Sequence, residues 1–222
     1  MDKAAGQPAE RLIGQLIADT IRLYGANFWR SLPLGIPLAG TLVGLAAVSD
    51  VAVGSVILVG GSVLMALSYV ASVVIAYPRR IDHGRFLGAL ALATFVFIPM
   101  LFLAPLFVLP GVAWFALFGL SVQAVLIERL PLVDSLRRAL ALARADFVHA
   151  LGAVAALVVV VFVTATAMFL AVRAGSGEAA AVAAFLTLLV TSPILFLGSA
   201  LLYDDQAARA EVKSRTKRPK EA

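Results

Sequence analysis

The 222-residue chain has no cysteine, only two histidines, and few charges: 18 Lys or Arg and 13 Asp or Glu, together 14% of the residues. Without cysteine there is no disulfide framework, thiolate metal site or cysteine nucleophile, although the redox compartment is left open. His83 and His149 have no carboxylate cluster beside them at metal-ligand spacing and read as interfacial histidines. No glycine-rich phosphate loop, Ser-His-Asp set or pair of carboxylates stands at usable spacing. The sequence therefore assigns no catalytic residue, no metal and no cofactor, and the chain is expected not to be an enzyme. Residues 86 to 127 run without one charge. No ionisable side chain falls deep in any long apolar stretch, so the usual mark of an ion path or proton relay is missing.

What the chain has in abundance is apolar length. Hydrophobic residues make up 62% of it and its mean hydropathy is +0.99, far from the averages of a soluble domain. The bilayer is its expected solvent. Runs of spanning length occur at roughly 32 to 49, 52 to 77, 86 to 109, 111 to 127, 150 to 172 and 179 to 202. The predicted fold is all-α, with six transmembrane helices. An amphipathic N-terminal segment (1–30) precedes the membrane domain (31–202), and a basic tail (203–222) follows it. The length leaves no room for a separate catalytic domain. No cleavable secretory signal is expected, since about 30 polar and amphipathic residues precede the first apolar run.

The charges orient these spans. Ser49-Asp50, Pro110-Gly111 and residues 173–178, with Gly175 and Gly177, form tight hairpins that carry Arg173 as their only basic residue. Opposite them lie Lys3, Arg11, Arg22 and Arg30, then Arg79, Arg80 and Arg85, then Arg129, Arg137, Arg138 and Arg144, and finally six Lys or Arg in the tail. The positive-inside rule puts that side, and both termini, in the cytoplasm. Pro99, Pro105 and Pro110 bracket the third and fourth spans, where a re-entrant loop is the alternative to two crossings; either version returns to the same side. The net charge of +5 resides mainly in the tail, so it is no sign of nucleic-acid binding.

Two stretches outside the spans have helical amphipathic patterns suited to the membrane interface. In residues 9 to 24, Leu12, Ile13, Leu16, Ile17, Ile21 and Tyr24 oppose Arg11, Gln15, Asp19 and Arg22, and Phe28 and Trp29 anchor the end. In residues 131 to 145, Leu132, Leu136, Leu140 and Ala143 oppose Asp134, Arg138 and Ala141, with Phe147 as anchor. Phe28, Phe86 and Phe147 lie 58 and 61 positions apart. That spacing suggests three repeats of an interfacial approach followed by a two-span hairpin.

Residues 110 to 152 combine a Pro110-Gly111 opening, a span ending in Val125-Leu126-Ile127-Glu128, the helix Leu132-Val133-Asp134-Ser135-Leu136-Arg137-Arg138 and the corner Ala145-Asp146-Phe147. This stretch resembles the membrane domain fused to some glycerophosphoryl diester phosphodiesterases, and related bacterial inner-membrane proteins. Ser135, Arg137 and Arg138 stand at the serine and arginine positions of that pattern. The resemblance implies a six-helix protein of the bacterial cytoplasmic membrane. It implies no phosphodiesterase activity, which in the fused proteins belongs to a separate soluble domain.

Gln123, Glu128, Arg137 and Arg138 are the candidate contacts for lipid or substrate. Glu128 sits near the cytoplasmic boundary within reach of Arg129, Arg137 or Arg138, either as a structural clamp or as a site. Gln123 lies about a turn deeper on the same helix face, where a packing hydrogen bond is the simpler role. Gly40 with Gly44, Gly60, Gly61 and Gly84 with Gly88 allow close helix approach. Expected partners are membrane lipids, anionic lipid at the basic tail, and a membrane protein or a second copy. One reading is a non-enzymatic scaffold or accessory protein. The other is a small transporter or lipid-handling protein for an amphiphile. A continuous cavity reaching Glu128 and Arg137 separates them.

Overall fold

A computed structural model describes residues 11–78, 80–103, 108–172 and 177–217. Arg79, Pro105, the turn at 173–176, Lys3 and the last five tail residues lie outside that set. Among the described residues every element is helical: α1 (Ile13–Ala26), α2 (Phe28–Ser31), a 3-10 turn (Leu32–Gly35), α3 (Ile36–Ala46), α4 (Val51–Ala76), a second 3-10 turn (His83–Arg85), α5 (Phe86–Leu103), α6 (Val108–Phe118), α7 (Ser121–Leu126), α8 (Leu132–Ala145), α9 (Phe147–Val172) and α10 (Gly177–Lys217). Five helical stretches are long and apolar enough to cross a membrane: Val51–Ala76, Phe86–Leu103, Val108–Leu126, Phe147–Ala171 and Glu178–Arg215.

The first apolar run behaves differently from the other five. Pro33 and Pro37 each lack the N–H that a continuous helix needs, and each sits where a new element starts, a position that tolerates it. The run is thereby divided into α2, a 3-10 turn and the 11-residue α3, which alone rises about 16 Å against a hydrocarbon core of about 30 Å. The turn is held against α10 at its proline. Pro193 leaves the Leu189 carbonyl of α10 without its helical donor, and Gly35 comes so close that a Cβ there would lie 2.2 Å from that oxygen. Tyr24 Oη donates to the neighbouring Val190 carbonyl at 2.8 Å. The bend is thus stitched from outside by α1 and the 3-10 turn.

Elsewhere, small residues set the spacing. A Cβ at Gly61 of α4 would meet Thr41 Oγ1 of α3 at 2.2 Å, and one at Gly198 of α10 would meet the Leu157 side chain of α9 at 2.5 Å. Gly40 and Gly60, in contrast, have nothing within 4 Å of such a Cβ, whereas one at Gly88 would meet the Leu132 side chain of α8 at 3.1 Å and one at Gly44 the Ile57 side chain of α4 at 3.7 Å. Asp50 caps α4 by accepting from Val53 N at 2.9 Å. The fourth apolar run bends at Gly119-Leu120, between α6 and α7.

Both amphipathic stretches are helical, but their packed faces differ from the pattern read by hydrophobicity. α1 buries Leu16, Thr20 and Tyr24 against α10 and α9, while Leu12 and Ile21 are exposed. α8 buries Ser135, Ala139, Leu142 and Ala143, and Leu132 is exposed. Small residues win these seams because they let helix axes approach. Leu16 and Leu142 are buried beside them, whereas Leu12 and Leu132 are left on the outer side. Phe28, Phe86 and Phe147 each open a helix, α2, α5 and α9, after a short approach element. Phe28 also packs on Tyr24 and Trp29, with ring centroids 5.4 and 5.2 Å apart, and Trp29 remains 80% exposed.

α10 is the longest element. Its 41 residues rise about 60 Å, twice the hydrocarbon thickness, and its apolar composition ends at Leu202. The basic tail continues α10 as helix through Lys217. α9, α3, α4, α1 and α8 all pack against it.

The close approach of Gly35 predicts that Gly35→Ala destabilises the protein by about 2–3 kcal/mol, since the obstruction is backbone. Gly40→Ala, in open space on α3, should match or slightly exceed wild type through its better helix propensity. Thermal unfolding of both variants in one detergent measures the contrast.

Candidate functional site

α7 carries Gln123 into the centre of the bundle, where it is fully buried. In the amide orientation that satisfies both ends, its oxygen accepts from Tyr69 Oη at 2.8 Å and its nitrogen donates to the Gly119 and Leu120 carbonyls at 3.1 and 3.3 Å. Tyr69 is itself fully buried, edge-on to Phe97 and Phe115 at 5.8 and 5.4 Å. The adjoining void, against Phe97, Phe115 and Phe196, is only about 10 Å³. That is room for no more than one water. Gln123 therefore braces the α6–α7 turn, adding a donor to the Gly119 and Leu120 carbonyls, the second of which also accepts from Ala124 N at 3.3 Å.

Glu128 and Arg138 form the clamp the sequence allowed. Arg138 Nε donates to both carboxylate oxygens, at 3.1 and 3.0 Å, and Nη2 to Oε1 at 2.9 Å; Tyr203 Oη also donates to Oε1. Burial works against the Arg138 charge, yet Glu128 and Tyr203 together hold its pKa above the ordinary guanidinium value. Arg137 points elsewhere: it is 77% exposed and pairs with Asp134 at 3.4 Å. Successive helical residues differ by about 100°, so adjacent arginines on α8 do not share a face. The four residues taken from sequence thus divide into a buried brace, a half-buried clamp and an exposed arginine, and they line no common cavity.

The larger polar assembly surrounds the last third of α10. Arg80, after α4, reaches Asp204 at 3.1 Å and lies over the Tyr77 ring at 5.4 Å. Arg11 meets the fully buried Asp205 at 3.1 Å, an ion pair without the alignment of a directed hydrogen bond, and Asp19 at 3.6 Å. Arg209 pairs with Asp146 at 2.9 Å and donates to the Arg11 carbonyl at 2.9 Å. Lys213 Nζ donates to the Arg144 and Ala145 carbonyls at 3.3 and 2.7 Å, closing the C-terminal end of α8. These contacts bring the N-terminal segment, the connection after α4, the α7–α8 connection and the α8–α9 corner to one end of the bundle. Arg11, Arg80, Arg138, Arg144, Arg209 and Lys213 gather there, whereas the bond from Tyr24 to Val190 carries the end of α1 toward the middle of α10.

Within this assembly is an open cavity of about 610 Å³, lined by Arg11, Arg80 and Arg138 with Asp204, Glu211, Ser214 and a floor of α10 alanines. A second, apolar groove of about 410 Å³ lies between α3 and α9 over α10, walled by Leu38, Leu42, Phe162, Phe169, Thr187 and Leu188. Arg11, Arg80, Asp204 and Asp205 were not legible as site residues from sequence. The available signal was the abrupt Tyr203-Asp204-Asp205-Gln206 run where α10 stops being apolar.

His149 uses its backbone N–H to donate to Asp146 Oδ1 at 3.1 Å, at the start of α9. Among the described residues no group of three or more His, Cys, Asp or Glu is arranged to hold a metal ion. The chain matches no family model, no curated protein and no solved structure.

Arg138→Ala leaves Glu128 facing a partly buried space without its cation, and about 2 kcal/mol of stability should be lost, less than for a fully buried pair because both side chains keep about a third of their exposure. Arg137→Ala should cost under about 0.5 kcal/mol. Denaturation in detergent, with Glu128→Gln added to complete a double-mutant cycle, measures the coupling.

Proposed function

We propose that the chain is a six-crossing protein of the bacterial cytoplasmic membrane with both termini inside, acting without catalysis as a scaffold or accessory protein in contact with membrane lipid. In this reading α1 runs along α10 from Asp205 to Val190, α2, the 3-10 turn and α3 continue it to complete the sixth crossing, and α8 lies at the interface with Phe147 and Val148 toward lipid. The similarity of residues 110–152 to the membrane domain of glycerophosphoryl diester phosphodiesterases fits the same picture.

The observation that carries the scaffold reading is the closed centre. The one buried amide of α7 is spent on Tyr69 and on the backbone of a helix bend, and the void beside it is about 10 Å³. A polar solute crossing the membrane needs a lined aqueous route. The charges instead brace one end of the bundle, where four segments are tied to α10. Lipid handling is favoured by a different observation, the lateral 410 Å³ groove, whose lining is apolar apart from Thr166 and Thr187.

The absence of cysteine makes the topology directly testable. A cysteine at Ser49 should react with an impermeant maleimide from outside intact cells, and one at Arg137 only after permeabilisation; the reverse pattern would refute the orientation. In proteoliposomes the scaffold should move no fluorescent phospholipid between leaflets faster than empty vesicles. Acceleration that Ala165→Trp or Ala184→Trp abolishes, by filling the groove, would replace the scaffold with lipid handling.

A further inference from the structure

We infer that the three-arginine cavity at the basic end is a binding site for a phosphate-bearing anion, with the headgroup of an anionic phospholipid as its ligand in the membrane. This rests on the proposed orientation for the lipid as source, but not for the phosphate chemistry.

The cavity is built from separate elements. Arg11 precedes α1, Arg80 follows α4, Arg138 belongs to α8, and α10 supplies Asp204, Glu211 and Ser214. Three guanidinium groups line the wall with two carboxylates, and each guanidinium is already paired, Arg138 with Glu128, Arg80 with Asp204, and Arg11 with Asp205 and Asp19, so a phosphate enters by exchange for a carboxylate. Arginine is the side chain whose planar fork matches phosphate oxygens in pairs. Arg138 commits Nε and Nη2 to Glu128, and its Nη1 has no hydrogen-bond partner among the described residues. The pair is a clamp that holds one donor edge rigidly while leaving the other free.

Arg80 is the exchangeable member. Its contact with Asp204 is a single 3.1 Å approach between side chains 52% and 36% exposed, the class of pair that contributes little and is readily replaced. A phosphate entering the cavity would compete with Asp204 for Arg80 while adding contacts to Arg138 and Arg11. The alanine floor leaves the space such a group needs.

Depth selects the source. Asp204 and Ala207 lie two and five residues beyond Leu202, the last residue of the apolar stretch, or about 3 and 8 Å along the axis. The headgroup layer extends about 5–8 Å beyond the hydrocarbon on each side. The cavity mouth is thus level with lipid phosphates, where basic pockets between membrane helices on the cytoplasmic side take anionic headgroups.

The test is native mass spectrometry of the full chain from mixed micelles containing equal phosphatidylglycerol and phosphatidylcholine. Wild type should retain phosphatidylglycerol preferentially. Arg80→Gln should lower that retention about tenfold, the equivalent of one charge-assisted contact of about 1.4 kcal/mol. Asp204→Asn, which removes the competing carboxylate, should raise it severalfold, a gain that a merely structural Asp204 would not give. Arg137→Gln, outside the cavity, should leave it unchanged. Inorganic phosphate added at millimolar concentration distinguishes the sources: displacement of the lipid with an Arg80-dependent phosphate adduct identifies a soluble phosphate site, and persistence of the lipid identifies the headgroup.

Equal retention by wild type and Arg80→Gln, equal losses in Arg80→Gln and Arg137→Gln, or weaker retention by Asp204→Asn would overturn the site. Cysteine labelling separates this outcome from failure of the functional reading. A reversed orientation with an intact Arg80-dependent phosphate adduct removes the membrane assignment alone, and the proposed orientation with no such adduct removes the cavity alone.

Discussion

The cost of placing charge in hydrocarbon, about 2.5–3.5 kcal/mol per residue at the centre of a spanning helix, organises this molecule. Residues 86 to 127 carry no charge, and α10 becomes polar only after Leu202. Charges excluded from the apolar layer have to gather at its edges. At the basic end they meet one another, and α10 gives them a common partner by remaining helical through Lys217. Asp204 takes Arg80, Asp205 takes Arg11, Arg209 takes Asp146, and Tyr203 joins Glu128 and Arg138. The ion pairs are individually modest. Their combined effect is positional, fixing four segments to one helix.

Backbone constraints dominate the apolar part. A proline in a spanning helix releases a carbonyl that has no water to satisfy it, so neighbouring structure must cover the site. At Pro193 the backbone at Gly35 packs over the released Leu189 carbonyl, and Tyr24 donates to the next carbonyl, Val190. At the Gly119 bend the added donor comes from Gln123, whose polar head is spent there.

The three aromatic anchors also gain meaning from the structure. Phe28, Phe86 and Phe147 each open a helix, after α1, the second 3-10 turn and α8 respectively. The outer two approach elements are 14 residues each, and the middle one is only three. The first approach departs further, because Pro33 and Pro37 divide the arm that follows it, and its 3-10 turn packs on α10.

Composition and periodicity determined the helical class, the presence of five long apolar helices and a clamp from Glu128 to one of three nearby arginines. These follow from local quantities: apolar length against bilayer thickness, and charges that cannot enter it. Tertiary structure decided the rest. It separated Arg137 from Arg138, turned Gln123 into a backbone brace, and selected Ser135 and Ala139 over Leu132 for the packed face of α8. It also brought Arg11, Arg80 and Arg138, distant in sequence, around one cavity. Hydrophobicity specifies which residues leave water, but the choice of helix face depends on how closely two axes can approach, and a site built from three elements exists only once those axes are set.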